Sequence, residues 1–348
     1  MIGTAPCAPL APPFVWFGGE TQAAPLIWQA LGDVPNYVDP FAGALAVPLQ
    51  RPHAPGIETV NDKDAFICNA FRAIRADPAG VADAATWLPH ECDLHARHAW
   101  LLTQRDDLPA RLMGDPWYYD VQIAGWWLWG ISLWIGGGWC SGAGAWHVVD
   151  GKLVKGESGG EGVSRRRLQL SDAGQGVHRT ATDLVTYMGA LSQRLARMRI
   201  CCGDWQRILG PSVTWKNSGI SGRDMTGILL DPPYAHSERD AGLYRIDDDC
   251  SAAVRAWAVA NGNNPRLRIV LCGYDDGDAA IPPTWQRVPW TANGGMAHTG
   301  AGRGKANRSR ELLWCSPHCE TVTQQLDFFT PTPGVGREKR ECDDTQKC

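Results

Sequence analysis

The stretch that most constrains this chain is Gly227-Ile228-Leu229-Leu230-Asp231-Pro232-Pro233-Tyr234. Its three consecutive apolar residues read as a short buried strand. The two prolines lack N–H groups and cannot extend a ladder, so the strand must stop there. Such a stop delivers a carboxylate, rigid carbonyls and an aromatic ring to one edge of a sheet. In open α/β folds the edge at the carboxyl ends of the strands is where ligands bind. Rigid acceptors beside a flat ring suit a planar group that carries an NH2, with Asp231 and the Pro232 carbonyl accepting its hydrogens and Tyr234 stacking on its face. A purely structural strand-turn remains the alternative for these four residues taken alone.

A second strand-turn unit lies near the start of the chain. Asn36-Tyr37-Val38-Asp39-Pro40-Phe41-Ala42-Gly43 reads as a strand, an acid and a small-residue turn, the unit that opens many nucleotide-binding folds. Glu58-Thr59-Val60-Asn61-Asp62 then gives another strand ending in an acid, as used to hold a ribose or adenosine edge. Upstream, Trp16-Phe17-Gly18-Gly19-Glu20 precedes a helical segment from Ala23 to Leu31. Its paired glycines allow either close backbone approach to a ligand or a simple turn. Ala65 to Arg75 has the apolar periodicity of a helix packed on a sheet.

These segments occur in the order found in the DNA adenine-N6 methyltransferases of the Dam-like, Asp-Pro-Pro-Tyr class, and the chain resembles a phage or prophage member of that family. The resemblance covers roughly residues 14–75 and 198–320. It implies an α/β, Rossmann-like, S-adenosylmethionine-dependent methyltransferase fold with an inserted, partly helical target-recognition region. Asp231, Pro232, Pro233 and Tyr234 would then be catalytic. Trp16, Gly18, Gly19, Asp39, Phe41, Gly43, Asp62, Asp204 and Asp231 would bind the cofactor, S-adenosyl-L-methionine. The implied partner is double-stranded DNA, from which an adenine is flipped, at a cost of about a few kcal/mol. Glu20 stands where the family usually has lysine, and Leu45 where a second glycine is common. The readings set against this one are a cytosine-N4 methyltransferase, whose motif usually begins with serine, and a catalytically inactive DNA-binding module.

The implied organisation is a cofactor-binding part at 14–76, a recognition insertion at 77–197, a catalytic part of the same α/β domain at 198–325, and a disordered tail at 326–348. Within the insertion, Val121 to Gly136 is apolar all round and reads as a buried helix, its tryptophans either core or base-stacking platforms. Cys92, His95 and His98 lie on one helical stretch, as a metal set or a polar face, and no metal is expected. Cys315, His318 and Cys319 invite a zinc reading but have no evident partner set. Met198 to Trp205 reads as a further strand, with Asp204 either near the cofactor or capping a helix.

With a net charge of −4, DNA contact has to come from local basic patches. The candidates are Arg165, Arg166 and Arg167 beside a glycine-rich loop, and Arg303, Lys305 and Arg308. Their alternative is a solvated loop. Twelve cysteines without a basic, apolar leader between Met1 and Pro13 fit reduced thiols in a cytoplasm, in a bacterium or phage-infected host. The apolar run from Val121 to Cys140 is interrupted by glycines and Gln122, so no membrane span is expected; no obligate protein partner is expected either.

Overall fold

The computed structural model describes residues 8–14, 16, 20–134, 139–141, 146–149, 152–155, 181–215, 225–233, 249–274, 281–291 and 311–323. The first half of the chain runs α1 (Ala24–Leu31), β1 (Asn36–Asp39), α2 (Ala46–Leu49), β2 (Ile57–Asp62), α3 (Ala65–Ala76), α4 (Pro78–Ala85), α5 (Glu91–Gln104), α6 (Leu108–Gly114) and α7 (Val121–Leu133). A separate antiparallel hairpin, β3 (Trp146–Val149) and β4 (Lys152–Lys155), comes next. Then follow α8 (Ala181–Leu195), β5 (Met198–Cys202), a 3-10 turn (Trp205–Ile208), α9 (Pro211–Thr214), β6 (Thr226–Leu230), α10 (Ser251–Asn261), β7 (Leu267–Tyr274), β8 (Gln286–Pro289) and β9 (Glu311–Cys315).

Seven of these strands form one sheet in the order β5-β2-β1-β6-β7-β9-β8. The first five run parallel, and β9 lies antiparallel between β7 and β8. The fold is therefore α/β with a mostly parallel mixed sheet, compatible with a Rossmann-like architecture.

Side-chain alternation explains why helices cover both faces. Along β6 and β7, Leu229, Val270 and Cys272 join a core with Ile27, Trp28 and Leu31 of α1. Ile228, Leu230, Ile269 and Leu271 join another core with Val254 and Ala258 of α10. A strand buried on both faces must be apolar at successive positions, and β6 is buried throughout.

Of the described helices of residues 77–197, α4, α6, α7 and α8 pack on α3, and α5 packs on α7. Phe66, Phe71 and Ile74 share one core with Val81, Trp127, Leu128 and Leu191. The tryptophans of α7 are chiefly core side chains: Trp127 and Trp129 are almost completely buried. Polar ties fix the same contact. Asn69 Nδ2 donates to the Asp120 carbonyl at 2.9 Å, and Asp120 N donates back to Asn69 Oδ1 at 3.0 Å. Arg72 Nη1 donates to the carbonyls of Leu112 and Tyr118.

One buried ion cluster joins α8 to the sheet. Glu58 on β2 accepts from Arg194 Nη1 at 2.6 Å and Nη2 at 2.8 Å, and from Arg51 Nη1 at 3.4 Å. All three side chains are nearly sealed from water. Removing one charge strands the others in an apolar site, so Arg194→Ala should lower stability by about 3–5 kcal/mol. Urea unfolding of the variant against the parent measures this, and a loss under about 1 kcal/mol would show the cluster to be exposed and weak.

Candidate functional site

Parallel pairing of β1 with both β2 and β6 places Asp39, Asp62 and Asp231 along one edge of the sheet. Asn36 sits opposite Ile57 on one side and Thr226 on the other, so the three strands start together, and Asp62 and Asp231 lie two positions beyond Asp39 in register. Asp231 follows the last residue of β6, and its two prolines leave the ladder as their chemistry requires.

Each carboxylate has its own anchoring. Asp39, almost fully buried, accepts from Phe41 N and from the Tyr37 hydroxyl, both at 3.1 Å. Asp62 accepts from Gly43 N at 3.1 Å and from Asp64 N at 2.7 Å. Asn61 ties the neighbouring turns together, donating to the carbonyls of Pro40 at 3.1 Å and Gly203 at 2.9 Å.

The turn after β1 carries the backbone strain of the site. Gly43 has φ of +44°, and a Cβ there would lie 2.5 Å from Cδ1 of Trp16. Trp16 thus rests directly on the glycine, and any side chain at 43 would displace it. Leu45, fully buried, is held at φ of 62° and ψ of 28°, a left-handed conformation that costs a leucine about 1–2 kcal/mol. The geometry asks for glycine at 45, and burial of the leucine side chain offsets the cost.

Further carboxyl and thiol groups gather beside Asp231. Ligand atoms of Glu20, Asp231 and Cys272 all lie within 4.8 Å of one another. They are the one grouping among the described residues close enough to hold a metal ion. Cys272 comes from β7, one residue past the Leu230–Leu271 pairing. Glu311 reaches the same edge because β9 runs antiparallel, setting its first residue opposite Tyr274.

The charge balance of this edge is lopsided. Burial pushes the Asp39 carboxyl up to about 7, against stabilising hydrogen bonds from Phe41 and Tyr37, with Asp231 and Asp62 pushing it further. Burial, then Asp231, Asp39 and Glu311, hold Glu20 well above the usual carboxylate range. Asp231 is also raised by burial, while hydrogen bonds from Glu20 and Cys272 pull it back down. Burial and the surrounding acids raise the Cys272 thiol and the Tyr37 phenol as well. Such a site holds protons, or waits for a cation.

The expected residues are distributed as follows. Trp16, Asp39, Gly43, Asp62, Asp231, Pro232 and Pro233 belong to this edge or the turn against it. Phe41 also leaves this turn, its ring 6.2 Å from that of Trp205. Asp204 is exposed and caps the 3-10 turn, accepting from Gln206 N at 2.9 Å. Gly18, Gly19, Tyr234, Arg165, Arg166, Arg167, Arg303, Lys305, Arg308 and the tail at 326–348 lie outside the described residues.

The two suspected ligand sets do not converge. His98 is sealed between the rings of Trp134 and Trp139, His95 faces Glu91, and Cys92 is exposed. His318 is hydrogen-bonded to the Asn263 carbonyl at 3.2 Å, while Cys315 and Cys319 are free thiols and Cys319 donates to the Ile269 carbonyl at 3.4 Å. Cys272 and Glu311 were missing from the residues singled out by sequence, and Glu20 was marked only as standing where lysine is usual, with no role given to it. Glu20 directly follows the Gly-Gly pair, but nothing local announces the other two.

No protein-family model and no curated protein matches this chain.

The raised Asp39 has a measurable consequence. Its proton is held more tightly in the folded than in the unfolded chain, so the folded state binds more protons between the ordinary value of 3.8 and about 7. Stability therefore falls as pH rises through that window, by roughly 4 kcal/mol at most for this group. Asp39→Asn removes the effect, so its stability profile should be flatter than the parent's between pH 5 and 8. Parallel profiles in thermal melts would contradict the assignment.

Proposed function

We propose that this chain is a site-specific DNA adenine-N6 methyltransferase using S-adenosyl-L-methionine and acting on a base flipped out of duplex DNA. The observation that carries the reading is the convergence of Asp231-Pro232-Pro233, Asp39 and Asp62 on one sheet edge, with Trp16 seated on the Gly43 turn. Numbered within the large sheet alone, the strand order is 3-2-1-4-5-7-6. That is a doubly wound order with one antiparallel strand added, and it fits the methyltransferase fold that the sequence resemblance implies.

The acidity of the edge supports the choice of cofactor. S-Adenosyl-L-methionine carries a sulfonium and an ammonium group, and when bound it would supply an electrophilic methyl. The carboxyl groups of this edge, Asp62 and Asp231 among them, would meet such a cation, whose charge would favour their ionised forms. Asp62, pinned by Gly43 N and Asp64 N, is oriented to meet a polar edge of the nucleoside. Trp16, seated on Gly43, and Phe41, beside Trp205, offer flat apolar faces at this turn.

Asp231 performs the chemical role. Its carboxylate accepts a hydrogen from the target amino group and directs the nitrogen lone pair at the methyl. Positioning and electrostatics carry a transfer of this kind, and no covalent enzyme intermediate is required. Duplex DNA reaches the site only after the base leaves the stack.

Asp231→Ala should abolish methyl transfer to unmethylated bacterial genomic DNA while leaving S-adenosylmethionine affinity within about threefold of the parent. Calorimetry reads the affinity, and nucleoside digestion reads the product. Parental rates in the variant, or N4-methylcytosine as the product, would overturn the proposal.

A further inference from the structure

Three donor groups reach one point of this edge from three separate segments, and the fold shows why. Side chains alternate along β6 and β7, so Leu229, Val270 and Cys272 share a core with α1, while Leu230 and Leu271 share one with α10. Asp231 directly follows β6, and the Leu230–Leu271 pairing sets it beside Cys272. Glu20 lies in the turn leading into α1, its carbonyl accepting from Ala24 N at 2.8 Å. A carboxylate oxygen of Glu20, one of Asp231 and the sulfur of Cys272 thereby come within 4.8 Å of one another.

A second observation points to a ligand. Glu20 Oε1 is buried and has no hydrogen-bond partner. A carboxyl oxygen taken out of water needs a donor or a cation. The charged neighbours that bear on Glu20 are Asp231, Asp39 and Glu311, all of them acids.

The donor types select among cations. Magnesium and calcium take oxygen ligands, about six or more of them. A thiolate between two carboxylates suits zinc or cadmium instead. Zinc bonds of about 2.0–2.3 Å put neighbouring ligand atoms roughly 3.5 Å apart, so the three atoms need draw in by no more than about an ångström.

We propose that Glu20, Asp231 and Cys272 form a site for a thiophilic divalent cation of the zinc type, and that a cation bound there withholds Asp231 from the substrate's amino group. The site stands on its own geometry, and only the inhibition rests on the methyltransferase reading. On binding, the Cys272 S–H bond gives way to a sulfur–metal bond and the proton passes to solvent, and the carboxyl groups bind as anions. Three protein ligands leave a fourth tetrahedral position to water. With its charge taken up by the metal, Asp231 no longer draws an amino hydrogen, and the added positive charge opposes a sulfonium cofactor.

The test uses the full chain, stripped of metal by a chelator, with zinc chloride or cadmium chloride as the probe. Calorimetry should show a zinc site that Glu20→Gln and Cys272→Ser each weaken by at least about tenfold. The other cysteines are common to all three proteins, so the difference between them reports this site. Glu20→Gln reads it alone should the serine variant fail to fold. Cadmium reports sulfur directly: its ultraviolet thiolate absorption should fall in Cys272→Ser by one thiolate per chain. Zinc should also inhibit methyl transfer by the parent, reversibly on adding chelator.

Parental zinc affinity in Glu20→Gln, or an unchanged cadmium band in Cys272→Ser, overturns the site. Magnesium displacing zinc at equal concentration overturns the choice of a thiophilic cation. Zinc binding that leaves turnover unchanged, or raises it, overturns the inhibition. If the parent neither binds S-adenosylmethionine nor methylates DNA, the functional reading fails, and the zinc and cadmium titrations still decide the site.

Discussion

Everything at the candidate site depends on β1 being held in register between β2 and β6. A four-residue strand cannot fix its own position, and two amides do it instead. At its start, Asn36 Nδ2 donates to Thr226 Oγ1 on β6 and to the Val213 carbonyl. At the far end, Asn61 on β2 bridges the Pro40 and Gly203 carbonyls. Buried amides hold their partners because an unmade bond in the interior costs the full desolvation of the group. The result is that three acids from segments separated by up to some 190 positions arrive at one edge, where burial denies them the solvation they would have apart.

Much of this was legible in the chain because the signals are local. An apolar run stopped by an acid and prolines can only be a strand end, and β6 and Asp231 follow that rule. The helical periodicity of Ala65 to Arg75 corresponds to α3, whose Asp64 cap accepts from Phe66 N. The alternation of strands and helices implies a parallel sheet. What was not legible comes from tertiary context. Cys272 looks like one more buried residue of an apolar strand, and only the pairing of β7 with β6 sets it beside Asp231. Glu311 reaches the site because β9 reverses direction, and no residue in β9 signals that reversal. Asp204 shows how two local roles compete, since a capping acid and a ligand-binding acid look alike until the backbone is seen.

The segment after α3 raises the same point on a larger scale. Its tryptophans read first as core, with base-stacking platforms as the alternative, because ring type says nothing about which way a helix is turned. Trp127 meets Phe14 edge-on at 4.9 Å, and Arg97 lies over the rings of Trp87, Trp126 and Trp129. Trp127 and Trp129 are therefore used inside the molecule, while Trp87 stays exposed. The face of α3 they cover would otherwise be exposed apolar surface, so the helices of 77–197 complete the core beside the sheet.

Glu20 and Leu45, the two departures from the pattern of the family that the sequence resembles, differ in physical kind. At Leu45 the backbone keeps the left-handed turn that glycine would supply freely, and a buried leucine holds it there at a cost. The geometry survives the substitution. At Glu20 a carboxyl stands beside Asp231 and Cys272 where a lysine would have brought a positive charge, and the cost falls on its ionisation: burial, then the neighbouring acids Asp231, Asp39 and Glu311, hold Glu20 well above the usual carboxylate range.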